Sequence, residues 1–218
     1  MTMPLRAVIF DLDGTLIDSM EFWQNLALSF LRRHGVSDAP RVMREIALMT
    51  LGEALAYALK ECSIPLMLPQ AIAEIEADIA SFYGERARFK PGAAQFLAEV
   101  RRRGLIAGIL SNTPRDHVEK ALIRFGVRDI FSVIRHAGDP GMSKHRPEGF
   151  LRMAELLDAA PAETLVCEDA LYAAVSAKEA GFRVCAIRDD SEPQRAELAR
   201  VADLYLDDWG EFPLSALD

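Results

Sequence analysis

Short apolar, β-branched runs alternate with longer amphipathic stretches along most of this sequence. No other feature restricts its fold as much, because the alternation is that of a parallel sheet wrapped by helices. The strand candidates are AVIF (Ala7–Phe10), LIAGIL (105–110), FSVI (131–134), TLVC (164–167) and RVCAI (Arg183–Ile187). Helical patterns lie between the later ones, over 92–103, 114–125, 147–157 and 170–180. Gly104, Gly126 and Gly181 stand just past three of these, where a helix C-terminus prefers glycine. The expected fold class is α/β with right-handed crossovers.

One interval breaks the alternation. Between about Ser19 and Arg88 no strand pattern occurs, while helical patterns run through EFWQNLALSFLRRHG, PRVMREIALM, GEALAYALKEC and PQAIAEIEADIASFYGER. Roughly seventy residues of helix after the first strand predict a separate small helical domain, joined to the rest through 16–19 and through RFKPG (88–92). Composition narrows the function classes. With 33 acidic against 25 basic residues the formal net charge is −8, and the only tight basic run is Arg101-Arg102-Arg103, so a nucleic-acid partner is not expected. Cys62, Cys167 and Cys185 are odd in number, scattered and without a C-x-x-C pair, which fits a reducing, cytoplasmic setting. The N-terminal MTMPLRAVIF is too short for a signal peptide, and no run of about 18 apolar residues predicts a membrane span.

The chemistry-bearing residues sit where the strand candidates end. Asp11 and Asp13 follow AVIF, Ser111-Asn112 follows LIAGIL, Glu168-Asp169 follows TLVC, and Lys144 lies in the loop after the third strand. Ligands of an open parallel sheet bind at these carboxyl ends. Four carboxylates crowded together repel by roughly 4 kcal/mol per close pair at an effective dielectric of about 20, so the cluster needs compensation. Lys144 and a divalent cation supply it, and an oxygen-only ligand set favours Mg²⁺.

The sequence resembles the haloacid dehalogenase-like phosphohydrolase superfamily, in its branch with a helical cap after the first strand. The motifs carrying the resemblance are D-x-D-G-T as Asp11-Leu12-Asp13-Gly14-Thr15, a strand-ending Ser111-Asn112, K-x-x-P-x-x-F as Lys144, Pro147 and Phe150, and the acidic pair Glu168-Asp169. The resemblance implies a doubly wound, Rossmann-like core over 1–17 and 89–218 and an all-helical cap over 18–88. It implies a Mg²⁺-dependent phosphomonoester hydrolase acting on a small phosphorylated metabolite. Asp11 is then the nucleophile that forms an aspartyl-phosphate, and Asp13 the general acid and base. The Mg²⁺ shell is Asp11, Glu168, Asp169 and the backbone carbonyl of Asp13. Ser111 and the N–H of Asn112 hold phosphoryl oxygens, and Lys144 neutralises charge on nucleophile and phosphate.

Within that superfamily, Asp13 argues against carbon–halogen hydrolases and phosphonoacetaldehyde hydrolases, which lack an acid there. Sugar-phosphate mutases similar to β-phosphoglucomutase are the runner-up. Their cap offers an arginine in a G-x-S-R-like stretch, where this chain reads MTLGEAL (49–55). A catalytically silent binding or regulatory protein predicts loss of Asp11, Asp13, Lys144 or Asp169, and all are present.

Other residues have plainer readings. Asp18-x-x-Glu21 reads as a helix N-cap box, and Ser111 and Glu168-Asp169 could also cap the helices after them. Arg41, Arg44, Lys60 and Lys90 read as solvated rather than as anchors for a second anion. His34, His117, His136 and His145 show no ligand spacing and read as surface or loop residues. Two positions depart from the superfamily pattern: His145 stands where many relatives have proline, and Ala173 or Ala174 where glycine is common.

Overall fold

The AVIF run forms strand β1 (Ala7–Phe10), and all four residues are buried, as an unbroken apolar run requires when both faces of a sheet are covered. The structure, a computed structural model, describes residues 3–47 and 49–217. Met1, Thr2 and Asp218 at the ends of the expected core, and Leu48 in the PRVMREIALM stretch, lie outside the described residues. The chain divides into two compact units, Met1–Ser19 with Ala87–Asp218 and, separately, Met20–Arg86.

The second unit is built of helices. Helices α1 (Met20–Arg33), α2 (Ala39–Ile46), α3 (Leu51–Glu61) and α4 (Leu68–Ser81) are followed by a short π-helix, Phe82–Arg86. Apolar residues one helical turn apart are buried on them, as with Leu26 and Phe30 on α1 and Ala71, Ile75 and Ile79 on α4. Phe22 stacks on Phe82 at 4.1 Å, and Trp23 Nε1 donates to the Tyr83 hydroxyl at 3.1 Å. In MTLGEAL, Thr50 and Glu53 form a reciprocal capping box that starts α3. The expected box at Asp18 is absent: α1 begins at Met20, one residue too late for it.

The first unit holds a six-stranded parallel sheet. After β1 come β2 (Ile106–Ser111), β3 (Phe131–His136), β4 (Thr164–Glu168), β5 (Arg183–Ile187) and β6 (Leu204–Leu206), in the order β3-β2-β1-β4-β5-β6. This is the doubly wound, Rossmann-like order, and its direction of winding reverses at β1. Helices α5 (Ala93–Arg102), α6 (Arg115–Arg124), α7 (Pro147–Leu156), α8 (Leu171–Glu179) and α9 (Arg195–Val201) connect or follow the strands.

Alternation along β1 fixes both layers, since successive side chains point to opposite faces. Ala7 and Ile9 join the apolar cluster of Phe150 and Met153 on α7 and of Ala173, Ala174 and Ala177 on α8. A Cβ on Gly108, the β2 partner of Ile9, would lie 2.9 Å from Met153 Cε, so the glycine lets α7 close on the sheet. Phe10 faces the other way, with its ring 6.0 Å from Phe96, 5.9 Å from Phe131 and 6.1 Å from Trp209. Strand β6 and helix α9 have no counterpart among the sequence expectations. LYL is only three residues long, and α9 buries Leu198 alone, so neither gives a periodic signal. Among the described residues no helix is long and apolar enough to cross a membrane.

Candidate active site

Parallel register brings the acids together. Phe10 pairs with Ile109 on one side and Cys167 on the other, so Asp11, Ser111 and Glu168 leave their strands at a common edge. Asp11 N donates to Cys167 O at 2.9 Å, which carries the pairing one residue beyond β1. The chain then turns. Gly14, at φ +80°, takes a left-handed conformation that a side chain disfavours, and Leu16 N and Ile17 N both return to Leu12 O, at 2.9 and 2.8 Å.

Asp11, Glu168 and Asp169 are all buried, and each offers a carboxylate oxygen within 4.8 Å of the others. Lys144, 3% exposed, is the cation among them. Its Nζ donates to Asp11 Oδ1 at 2.6 Å and lies 2.6 Å from Glu168 Oε1. Glu168 Oε2 is buried without a hydrogen-bond partner among the described residues. Thr15 Oγ1 donates to Asp169 Oδ1 at 3.1 Å.

The protonation equilibria follow from one ammonium facing three carboxylates. Burial raises Asp11 above the usual carboxylate range against the pull of Lys144, and the nearby Asp13 adds to the rise. Burial likewise pushes Glu168 up to about 7, with Lys144 opposing and Asp11 reinforcing. Asp169 is raised well above its ordinary value by burial, then by Asp11 and Glu168. Burial works against the Lys144 ammonium, but Asp11 and Glu168 more than offset it, so Lys144 stays protonated.

Asp13 has a different environment. It is half-buried, and its two oxygens accept from two hydroxyls, Oδ1 from Ser19 Oγ at 2.6 Å and Oδ2 from Thr113 Oγ1 at 2.6 Å. Ser111 is fully buried, and its Oγ accepts from Thr113 N at 3.0 Å. Asn112 is exposed at the end of the same strand. Its Nδ2 donates to the Tyr172 hydroxyl at 3.0 Å, and His136 Nε2 donates to its backbone oxygen at 3.0 Å. The His145 ring stacks on Tyr172 at 4.2 Å with an interplanar angle of 16°.

All seven residues singled out from sequence fall in the α/β unit, and Asp11, Lys144, Glu168 and Asp169 converge. The alternative capping roles are not taken up by these residues. No side chain caps α6, and the first N–H of α8, at Leu171, goes to Glu192 Oε2 at 3.0 Å. Lys90 is not solvated: it is buried, with Nζ 2.8 Å from Asp189 Oδ2 and 2.6 Å from Arg188 O. The sequence reading missed the hydroxyls of Thr15, Ser19 and Thr113 as partners of the acids. It also missed Tyr172, His136 and His145. Two of these had a local signal, since Thr15 closes D-x-D-G-T and His145 follows Lys144 directly.

Comparison with known proteins identifies the lineage. The model of the haloacid dehalogenase-like hydrolases matches residues 5–181. The chain belongs to that family. As such it is an enzyme, and the curated proteins it resembles include phosphatases. Over 214 residues it is 28% identical to the validoxylamine A 7'-phosphate phosphatase of Streptomyces hygroscopicus subsp. limoneus, covering 94% of this chain and 95% of that protein. It is also 28% identical to hexitol phosphatase B of Escherichia coli K12, covering 82% of each chain. Among solved structures of the family, CbbY from Rhodobacter sphaeroides in complex with phosphate superimposes with a TM-score of 0.76 at 25% identity, covering 98% of this chain and 99% of that one.

Proposed function

We propose that this hydrolase cleaves the phosphomonoester of a small phosphorylated metabolite through an aspartyl-phosphate on Asp11, with Mg²⁺ as cofactor. The observation that carries the reading is the contrast between its two motif acids. Asp11 is buried on the Lys144 ammonium, whereas Asp13 is half-buried between two hydroxyls. Two carboxylates held in unlike environments are the usual basis for a division into nucleophile and proton carrier.

The donor set suits a hard divalent ion. Asp11, Glu168 and Asp169 offer only oxygen, Glu168 Oε2 is a buried acceptor with no donor among the described residues, and a single ammonium leaves two carboxylate charges uncompensated. Asp11, Glu168, Asp169 and the Asp13 carbonyl would hold Mg²⁺, which when bound neutralises these charges and polarises the phosphoryl group. The rest belongs to the chain. Lys144 lowers the repulsion between Asp11 and an incoming phosphate dianion. Ser111 O–H and Asn112 N–H orient phosphoryl oxygens so that Asp11 attacks phosphorus in line. Asp13, protonated, releases one hydroxyl contact and gives its proton to the leaving oxygen. It then takes a proton from the water that cleaves the aspartyl-phosphate.

The helical unit is proposed to act as the cap that selects the substrate. Hydrolysis of small phosphorylated compounds is the property its named relatives share, and three free cysteines suit a cytoplasmic setting. The Thr50–Glu53 box occupies the stretch where a mutase would carry its arginine, which favours hydrolysis over mutation. The test is a phosphomonoester panel, with p-nitrophenyl phosphate, with and without Mg²⁺. Turnover should require Mg²⁺ and fall by about a thousandfold or more in Asp11→Asn. Turnover by Asp11→Asn at the wild-type rate would reject the reading.

A further inference from the structure

Tyr172 stands in the first turn of α8, three residues beyond the acidic pair that ends at Asp169, and the sequence pattern assigns it no role. Its hydroxyl oxygen accepts from Asn112 Nδ2 at 3.0 Å. That leaves the phenolic proton to donate, and among the described residues nothing accepts it. The group is half-buried, so its O–H is open to a ligand as well as to water. Burial raises the phenol's pKa, so it remains a donor.

The ring is also held in position. His145 stacks on it at 4.2 Å, and His145 is covalently next to the lysine that bonds Asp11. Asn112, on the other side, is braced by the His136 donation to its carbonyl at 3.0 Å. The phenol therefore sits between the two loops that carry Asn112 and Lys144, the groups the hydrolase reading assigns to the phosphoryl oxygens.

From this juxtaposition we infer that Tyr172 is a phosphoryl-binding residue, its O–H donating to an oxygen of the phosphoryl group held at Asp11. The inference rests on the hydrolase reading for the presence of a phosphoryl group at Asp11. It supplies a neutral donor beside the ammonium of Lys144, so the clamp gains a hydrogen bond without further charge. A tyrosine that serves only to pack its ring on His145 would tolerate phenylalanine with no loss beyond the exposed Asn112 Nδ2 bond, which water can replace.

The experiment measures binding of inorganic phosphate, with Mg²⁺ present, to the wild-type chain, to Tyr172→Phe and to His145→Ala by calorimetry. Loss of a hydrogen bond to a charged oxygen predicts an affinity lower by roughly tenfold or more in Tyr172→Phe, with Mg²⁺ binding measured alone unchanged. His145→Ala, which keeps the hydroxyl and removes its stacked support, should weaken phosphate by about threefold. A Tyr172→Phe affinity equal to wild type overturns the inference, as does a wild-type chain that binds no phosphate. If Tyr172→Phe does not fold, an unchanged affinity in His145→Ala overturns it. Phosphate binding that needs Tyr172 in a chain that hydrolyses no phosphomonoester would reject the hydrolase reading and retain this one.

Discussion

The helical unit and the strand ends of the α/β unit use the same charged residue types to opposite effect. In the helical unit the charges pair along the surface: Arg33 takes both oxygens of Asp78 at 3.1 and 2.7 Å, with side chains 45% and 27% exposed, and Arg41 bonds Glu45 at 2.8 Å. Water screens such pairs, which stabilise by about 0 to 1 kcal/mol each. At the strand ends Asp11, Lys144, Glu168 and Asp169 are 1–6% exposed, and their acids are raised out of the usual carboxylate range. A fold tolerates buried like charges when something else stabilises the site. The chemistry is therefore to be sought where charges are costly, not where they are numerous.

Removing the ammonium should sharpen that contrast most. Lys144→Met leaves three buried carboxylates unopposed and should destabilise the metal-free protein by about 3–5 kcal/mol in urea unfolding, less whatever the acids recover by taking up protons. Mg²⁺ should restore part of the loss. An unchanged midpoint would mean that the cluster is not under electrostatic stress.

The next largest effect is a dependence of metal stabilisation on pH. Glu168 stands at about 7 in the folded chain against an ordinary 4.5, so between these values the folded metal-free protein holds a proton the unfolded chain has lost. Its stability falls as pH rises through that window. A cation takes the proton's place. The rise in melting temperature with Mg²⁺ should accordingly be small near pH 5 and larger above pH 7, and an equal rise at both would contradict the assignment.

The smallest effect belongs to the helical surface. Arg33→Ala should change unfolding stability by no more than about 1 kcal/mol and leave Mg²⁺-dependent hydrolysis as it was. A large loss of stability would break the comparison between the two units.

How much of this was legible depended on whether a feature is set by chain order or by loop packing. The acids at the ends of AVIF and TLVC could be located before the structure, because parallel register alone brings Asp11 and Glu168 to one edge. The seventy-residue helical interval was equally plain, since its 3.6-residue periodicity needs no partner to be seen. The hydroxyls on Asp13 were not legible. Thr113 lies a hundred residues from it in sequence, and nothing local marks Ser19 as its donor rather than as the cap of α1. Tyr172, His145 and Asn112 likewise meet only because two loops and the first turn of α8 come together at one strand edge. Lys90 reads as a surface lysine in RFKPG until the loop after β5 brings Asp189 against it.

Phosphorylation of Asp11 is the step on which the proposed hydrolysis turns. It is tested most directly by quenching the enzyme during turnover, reducing acyl phosphates with borohydride and sequencing the peptides by mass spectrometry. Asp11 should be reduced to homoserine only when substrate and Mg²⁺ are present, with Asp13 unmodified. Hydrolysis that proceeds with Asp11 never labelled, or with the label on Asp13, would contradict it.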